Sequence, residues 1–109
     1  MNMIAIEDFK KLNIVIGTVE SVEDIDGSEK LYKLTVNIGA ETRQIIAGLK
    51  PSYSSVELVG KQVLILENLE PRDLIGLESQ GMVLAASDET GKPIIIRPEK
   101  PVANGSVIK

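Results

Sequence analysis

The sequence predicts an all-β domain with an aliphatic core. Glycines recur along the chain, mostly 9–16 residues apart, and short runs rich in Val, Ile and Leu lie between them. Short strands separated by turn residues at such intervals are typical of sandwiches and barrels. Aromatic residues make up 3% of the chain and apolar residues 43%, so aliphatic side chains must fill the core. With 109 residues, the chain is predicted to be a single domain, residues 1–109.

The first half of the chain is predicted to contain a short helix and three strands. Ile6–Leu12 should form one or two helical turns, because apolar residues three apart stand among charged ones. Gly17 interrupts the first strand, which indicates a bulge or a barrel corner. The second strand alternates apolar and polar residues, and a turn joins it to a hairpin partner. The three predicted strands are Ile14–Val22, Leu31–Ile38 and Arg43–Leu49.

The second half is predicted to begin with a long connection and to continue with shorter strands. Pro51–Leu58 should be a loop with at most one helical turn, near Ser54–Leu58. Glu70–Glu78 is predicted to be a loop, since no regular alternation runs through it. The predicted strands of this half are Gln62–Leu66, Gly81–Ser87, Pro93–Arg97 and a short final one, Gly105–Ile108.

Five or so strands, with a long connection between the third and the fourth, fit a small closed barrel. The OB-fold is a five-stranded, partly open barrel that satisfies this count, and its strand face commonly binds oligonucleotides. A β-sandwich stays open as the alternative, because strand spacing alone does not separate the two architectures.

Composition excludes most kinds of catalytic and metal site. Cysteine and histidine are both absent, which removes disulfides, thiolate zinc ligands, cysteine nucleophiles and the usual general base. The acidic turn with Asp24, Asp26 and Glu29 lacks the ligand spacing of an EF-hand. No P-loop or dinucleotide fingerprint is present. The sequence therefore predicts a non-catalytic protein with no cofactor and no metal.

The charge and hydropathy of the chain predict a soluble protein. It carries 12 basic and 16 acidic residues, a net charge of −4, and each half carries six basic and eight acidic residues. By this count neither half is a charged tail. No apolar run approaches the roughly 18 residues of a membrane helix, and no signal peptide is visible. We expect no membrane association and a cytoplasmic location.

One segment, residues 66–87, carries polar groups that could recognise RNA. A guanidinium can contact phosphate or stack on a base, whereas amides and hydroxyls can bond to base edges. A methionine offers a flexible apolar surface to an unstacked base. The alternative is a barrel loop whose polar side chains bond to its own backbone. The candidate residues of this segment are Asn68, Arg72, Ser79, Gln80 and Met82.

Several stretches between Phe9 and Lys109 carry a resemblance to a known family. The most specific are Asn68-Leu-Glu-Pro-Arg72 and Glu78-Ser-Gln-Gly-Met-Val-Leu-Ala-Ala86. They resemble the tRNA-binding domain that occurs as the C-terminal domain or beta subunit of methionyl-tRNA synthetases and as stand-alone structure-specific tRNA-binding proteins. The resemblance implies an OB-fold that binds tRNA by shape and performs no chemistry. It also implies a homodimer formed through a C-terminal segment, residues 93–109.

The chain departs from that family in charge. The basic family motif Lys-Pro-(Arg/Lys)-Lys-Leu-Arg-Gly corresponds here to Glu70-Pro-Arg-Asp-Leu-Ile-Gly76, which loses three positive charges and adds two negative ones. Phosphate neutralisation supplies much of the affinity for nucleic acids, so tRNA binding is expected to be weaker. Lys30 and Arg43, which flank the first hairpin, are further candidates for phosphate contacts. Either could equally be a solvated strand residue.

Two kinds of partner follow from the resemblance. The first is tRNA, bound alone or beside a methionyl-tRNA synthetase catalytic subunit whose local tRNA concentration the module would raise. The alternative is a dimeric protein-binding relative, similar to the small secretion chaperone of the same superfamily. The intact Ser79-Gln-Gly-Met82 favours the first, and the reduced positive charge favours the second.

Overall fold

Strands make up most of the regular structure of the protein. A computed structural model describes residues 1–109. In chain order the elements are α1 (Ile6–Phe9), β1 (Ile14–Asp24), β2 (Tyr32–Asn37), β3 (Thr42–Ala47), α2 (Ser55–Leu58), β4 (Gln62–Leu66), β5 (Arg72–Leu74), β6 (Leu77–Ser79), β7 (Met82–Val83), β8 (Ala85–Ser87) and β9 (Pro93–Ile95). Five of them form an antiparallel sheet in the order β3-β2-β1-β4-β7, curled into a nearly closed barrel. The predicted all-β fold of OB type is confirmed.

Strand β1 is the central strand of the sheet, and its two halves pair with different neighbours. Its first half pairs with β4 and its second half with β2. A bulge lies between Val19 and Ser21, where the register with β2 shifts. At Gly17, where the sequence predicted a bulge or corner, the strand instead passes close to β2: a Cβ atom there would lie 2.6 Å from Val36 Cγ1. The glycine therefore permits the crossing, and the bulge follows it.

The core is aliphatic, as the low aromatic content predicts. Apolar side chains of β1–β4 alternate inward and meet in one cluster, which α2 covers through the fully buried Leu58. Tyr32 is the one buried aromatic residue, and its hydroxyl donates a hydrogen bond to the carbonyl of Tyr53. The side chains with 0% exposure are Val19, Leu34, Val36, Ile45, Leu58, Val63 and Ile65.

Helix α2 lies between β3 and β4, where the sequence predicted the helical turn. Ser54 caps it: the serine Oγ accepts from the backbone N–H of Glu57, and the Glu57 carboxylate accepts from the N–H of Ser54 at 2.8 Å. These hydrogen bonds to Ser54 hold the pKa of Glu57 below its ordinary value. Neither helix is long and apolar enough to cross a membrane.

The C-terminal segment packs along β1 instead of forming a regular strand. The sequence predicted a final strand at Gly105–Ile108. The structure has a single bridge there, Val15 to Val107, flanked by a hydrogen bond from Ile108 N to the carbonyl of Ile14. This stretch occupies the edge of β1 that β2 leaves free, because β2 pairs with β1 only from Thr18 onward.

Candidate nucleic-acid interface

A hairpin folds over the outer edge of β3 where the sequence predicted a loop. Strands β5 and β6 pair from Arg72 opposite Ser79 to Leu74 opposite Leu77. The two turn residues have positive φ, 51° at Ile75 and 72° at Gly76, the signature of a type I′ turn. A β-branched residue in this conformation is unusual, so the residues of this turn do not match the usual sequence signal of a hairpin.

Ser79 lies inside the protein, where it helps to close the barrel. Its side chain is 1% exposed. The hydroxyl accepts from the backbone N–H of Ile46 and donates to the carbonyl of Gly81, both at 3.0 Å. These two bonds join β3 to the turn that leads into β7.

Gln80 completes the closure beside Ser79. Its backbone N–H donates to the carbonyl of Gln44 at 2.8 Å, and its side-chain oxygen accepts from the Gln44 N–H at 3.1 Å. The side chain of Gln44 in turn donates to the carbonyl of Glu78. Residues 78–80 thus serve as the strand-like partner of β3 that a fully closed barrel would require.

The Arg43 side chain lies on the inner face of the sheet and bonds to the backbone just after β4 and just before β7. It lies two residues from the fully buried Ile45, and alternate residues of a strand share a face. Its Nη1 donates to the carbonyls of Glu67, at 2.8 Å, and Gln80, at 3.1 Å. An ion pair of 2.8 Å with Glu41 holds the guanidinium, which is 24% exposed.

Asn68 fastens the chain before β1 to the end of β4. Its Oδ1 accepts from the backbone N–H of Asn13 at 2.8 Å, and its Nδ2 donates to the carbonyl of Lys11 at 2.7 Å. Both ends of the amide are therefore engaged within the chain.

Arg72 and Met82 meet at a groove between β3 and the β5–β6 hairpin. The groove has a volume of about 260 Å³ and mostly apolar walls. Arg72 is exposed and takes part in none of the chain's ion pairs. The walls that the sequence did not single out come from the end of β3 and from β7–β9. The lining residues are Ile46, Ala47, Gly48, Leu49, Arg72, Met82, Val83, Ala85 and Pro93.

Lys30 lies in the β1–β2 loop, next to the same groove. A Cβ atom on the groove residue Gly48 would lie 4.0 Å from the carbonyl oxygen of Lys30. The lysine is exposed and forms no ion pair. Arg72 and Met82 thus line one groove, with the backbone of Lys30 beside it, whereas Arg43 and Asn68 bond within the chain and line none of its walls.

Four ion pairs engage a third of the basic residues. Lys33 pairs with Glu23 at 3.1 Å and Lys50 with Asp24 at 2.9 Å, both beside the β2 strand. The hydrogen bond to Asp24 raises the pKa of Lys50 above its ordinary value. Because Lys33 and Arg43 are committed to acidic residues of the barrel, neither compensates the acidic residues of the hairpin. Arg72 stands there among Glu70, Asp73 and Glu78.

Comparison with known proteins places the chain in a family. Residues 14–107 match the family model described as "Putative tRNA binding domain". The methionine–tRNA ligase of Methanococcoides burtonii is 50% identical over 108 residues, which are 98% of this chain and 16% of that protein. The corresponding ligase of Caldanaerobacter subterraneus subsp. tengcongensis is 43% identical over 99% of this chain and 17% of its own length. The chain thus spans about a sixth of these relatives.

Solved structures give the same architecture. A MetRS-related protein from Pyrococcus horikoshii superposes with a TM-score of 0.94 at 34% identity, covering all of both chains. The chaperone CsaA from Bacillus anthracis superposes with a TM-score of 0.90 at 28% identity, covering 99% of this chain and all of the other. The description of the matching family model is that of a binding domain, which agrees with the prediction of a non-catalytic module. The chain therefore belongs to the tRNA-binding domain family.

Proposed function

We propose that the chain binds tRNA over the groove between β3 and the β5–β6 hairpin. The observation that carries this proposal is the combination at the groove of an unpaired guanidinium, Arg72, with an apolar wall that includes Met82. A guanidinium contacts phosphate or stacks on a base, and an apolar wall accepts an unstacked base. The match to the tRNA-binding family over residues 14–107 supports the identity of the ligand.

The candidate residues take two roles in this proposal. Lys30, Arg72 and Met82 contact the RNA, since Arg72 and Met82 line the groove and Lys30 is exposed in the loop beside Gly48. Four others shape the site from within, because hydrogen bonds to the chain's own backbone occupy their polar atoms: Arg43, Asn68, Ser79 and Gln80.

A methionyl-tRNA synthetase catalytic part is the proposed functional partner. The relatives that carry this segment as about a sixth of their length are methionine–tRNA ligases. A tRNA-binding module held near a catalytic domain raises the effective concentration of tRNA there without adding catalytic groups. A cytoplasmic setting belongs to the same proposal.

Replacement of Arg72 by alanine tests the proposed groove. We expect weaker binding of total tRNA, by about five- to tenfold at 0.1 M salt, because one phosphate contact is lost. The slope of log affinity against log salt concentration should flatten by about one. A filter-binding titration at several salt concentrations measures both quantities.

Lys10→Ala is the matched control for this experiment, because Lys10 is also exposed, unpaired and positively charged but follows α1 and lines none of the groove. Its salt slope should stay that of the wild type. Equal slopes for all three proteins would contradict a phosphate contact at Arg72.

The exposed apolar residues of the C-terminal segment support a proposed homodimer. Ile95 enters the core, but four other large apolar residues between 93 and 109 stay 39–56% exposed: Ile94, Ile96, Val102 and Val107. We expect a two-fold dimer, the commonest symmetry of oligomers, that covers these side chains. Light scattering at micromolar concentration should give twice the 11.8 kDa chain mass. A monomer mass would contradict the dimer.

Binding of a polypeptide is the second candidate function. The groove has mostly apolar walls, and the hairpin beside it carries three acidic residues against one arginine. A structural neighbour with 28% identity is the chaperone CsaA. An apolar groove beside an acidic hairpin suits an unfolded basic segment better than it suits a polyanion, and the charge-reversal experiment below separates the two functions.

A further inference from the structure

The positive charge of the chain is concentrated at its C-terminal end. Residues 92–109 carry four basic residues and one acidic residue, a net charge of +3, whereas residues 1–91 carry a net charge of −7. The four cations are exposed, and none takes part in the chain's ion pairs. They are Lys92, Arg97, Lys100 and Lys109.

The backbone that carries the two middle cations is held against the barrel on both sides. Upstream, β9 pairs with β8, and the Tyr53 hydroxyl accepts from the N–H of Ile95 at 3.1 Å. Downstream, the Gln62 amide donates to the carbonyl of Val102 at 2.6 Å and accepts from its N–H at 3.1 Å. Arg97 and Lys100 therefore project from an anchored segment.

Further anchors fix the end of the same segment. The Thr18 hydroxyl donates to the side-chain oxygen of Asn104 at 2.7 Å. Gly39 and Gly105 meet so closely that a Cβ atom on either would lie 2.6–2.8 Å from a backbone oxygen of the other's segment. A cleft of about 320 Å³ opens between this segment and the turn at Gly60, with Arg97 on its wall.

Three acidic residues lie close to these cations in the sequence: Asp88, Glu89 and Glu99. Glu99 lines the same cleft as Arg97. Hydrogen bonds from the Thr90 side chain and from the backbone N–H of Lys92, with a smaller contribution from the Lys92 charge, keep the pKa of Asp88 below its ordinary value. Counted from Asp88 to Lys109, with these three carboxylates included, the chain still carries a net charge of +1, and neither Arg97 nor Lys100 forms an ion pair.

The charged segment begins at the groove. Pro93 is part of the groove wall, and Lys92 precedes it. Strand β9 ends at Ile95, and four residues span at most about 13 Å, so Arg97 lies within that distance of Pro93. An RNA that covers the groove can therefore cross this segment without leaving the protein surface.

We propose that Arg97 and Lys100, with Lys92 at the groove end, form a phosphate-binding strip that holds the backbone of the bound RNA. This inference rests on the proposed function and assigns the main electrostatic contact to the C-terminal segment. It requires that the proposed dimer cover the apolar side chains of residues 93–109 and leave Arg97 and Lys100 accessible to RNA. The reason is charge: the hairpin repels a polyanion through three carboxylates, whereas the strip has a net positive charge in a chain that is otherwise acidic. Cations that neutralise phosphates supply most of the affinity for nucleic acid and determine its salt dependence.

The test is the double variant R97Q/K100Q, measured with total tRNA by filter binding at several salt concentrations. Loss of two phosphate contacts should flatten the salt slope by about two and weaken binding by about 25- to 100-fold at 0.1 M salt. The variant R97K/K100R keeps both charges and should keep the slope. K10Q/K11Q makes the same change in net charge beside α1 and should leave the slope within half a unit of the wild-type value.

Protection of lysines from acetylation gives a readout that needs no variant. Saturating tRNA should protect Lys100 and Lys92 but not Lys10. A slope for R97Q/K100Q equal to that of K10Q/K11Q, or a Lys100 that stays equally reactive with tRNA bound, would overturn the strip while leaving the tRNA-binding function in place. If the wild type binds no tRNA at low salt, both the function and the strip fail.

Discussion

Replacing both Glu70 and Asp73 by lysine is expected to strengthen tRNA binding by about a hundredfold at 0.1 M salt. Both carboxylates are exposed on the chain that flanks Arg72. In the wild type they repel the backbone of an RNA at the groove, and as lysines they would neutralise phosphates instead. Each added phosphate contact contributes about tenfold at this salt concentration and steepens the salt slope by about one, so the double variant should gain about two.

The hairpin should tolerate this change. Asp73 pairs across the strands with Glu78, so a lysine at position 73 turns a repulsive pair into an attractive one. Glu7→Lys with Glu20→Lys makes the same change in net charge at exposed positions away from the groove and should leave the slope near the wild-type value. If neither the wild type nor the Glu70→Lys/Asp73→Lys variant binds tRNA at low salt, although both are folded and dimeric, the proposed function becomes binding of a polypeptide instead of RNA.

The strands of the barrel could be predicted because their signals are local. Alternation of apolar side chains in residues 31–38 and the aliphatic run in residues 62–66 each lie within one strand. The β5–β6 hairpin was not predictable in this way. Its type I′ turn has Ile75, at φ 51°, and Gly76 in place of the Asn-Gly or Asp-Gly sequence from which such turns are usually predicted. The predicted strand Gly81–Ser87 is also two strands, since the N–H of Leu84 between them bonds back to β4.

The roles of the site residues depend on contacts between distant parts of the chain. Alternation with Ile45 places Arg43 on the inner face, and this much is visible in the sequence. The strand partner of Ser79, Ile46, is 33 residues away, and the partners of Asn68 are 55 and 57 residues away, so no local pattern could identify them. The positive charge of residues 92–109 was not evident from the sequence for another reason. The two halves of the chain have equal charge counts, and only a division near residue 91 separates an acidic part from a basic one.

Replacing Ser79 by alanine is expected to lower the free energy of unfolding by about 2–3 kcal/mol. The hydroxyl is buried and satisfies two backbone groups, the N–H of Ile46 and the carbonyl of Gly81. Alanine removes the hydroxyl and leaves a buried donor and a buried acceptor without this partner, each at a cost of about 1–3 kcal/mol. Since the bonds join β3 to the start of β7, their loss also loosens the closure of the barrel. The melting temperature should fall by about 10 °C.

Ser87→Ala is the matched control, because Ser87 lies exposed on β8 and the same hydroxyl is lost there. Its stability should change by less than about 0.5 kcal/mol. Thermal and urea unfolding followed by circular dichroism compare the three proteins. Below the melting transition, the affinity of folded Ser79→Ala for tRNA and its salt slope should equal those of the wild type, because Ser79 acts on the barrel and not on the RNA. A variant as stable as the wild type that binds tRNA more weakly would instead make Ser79 a direct contact.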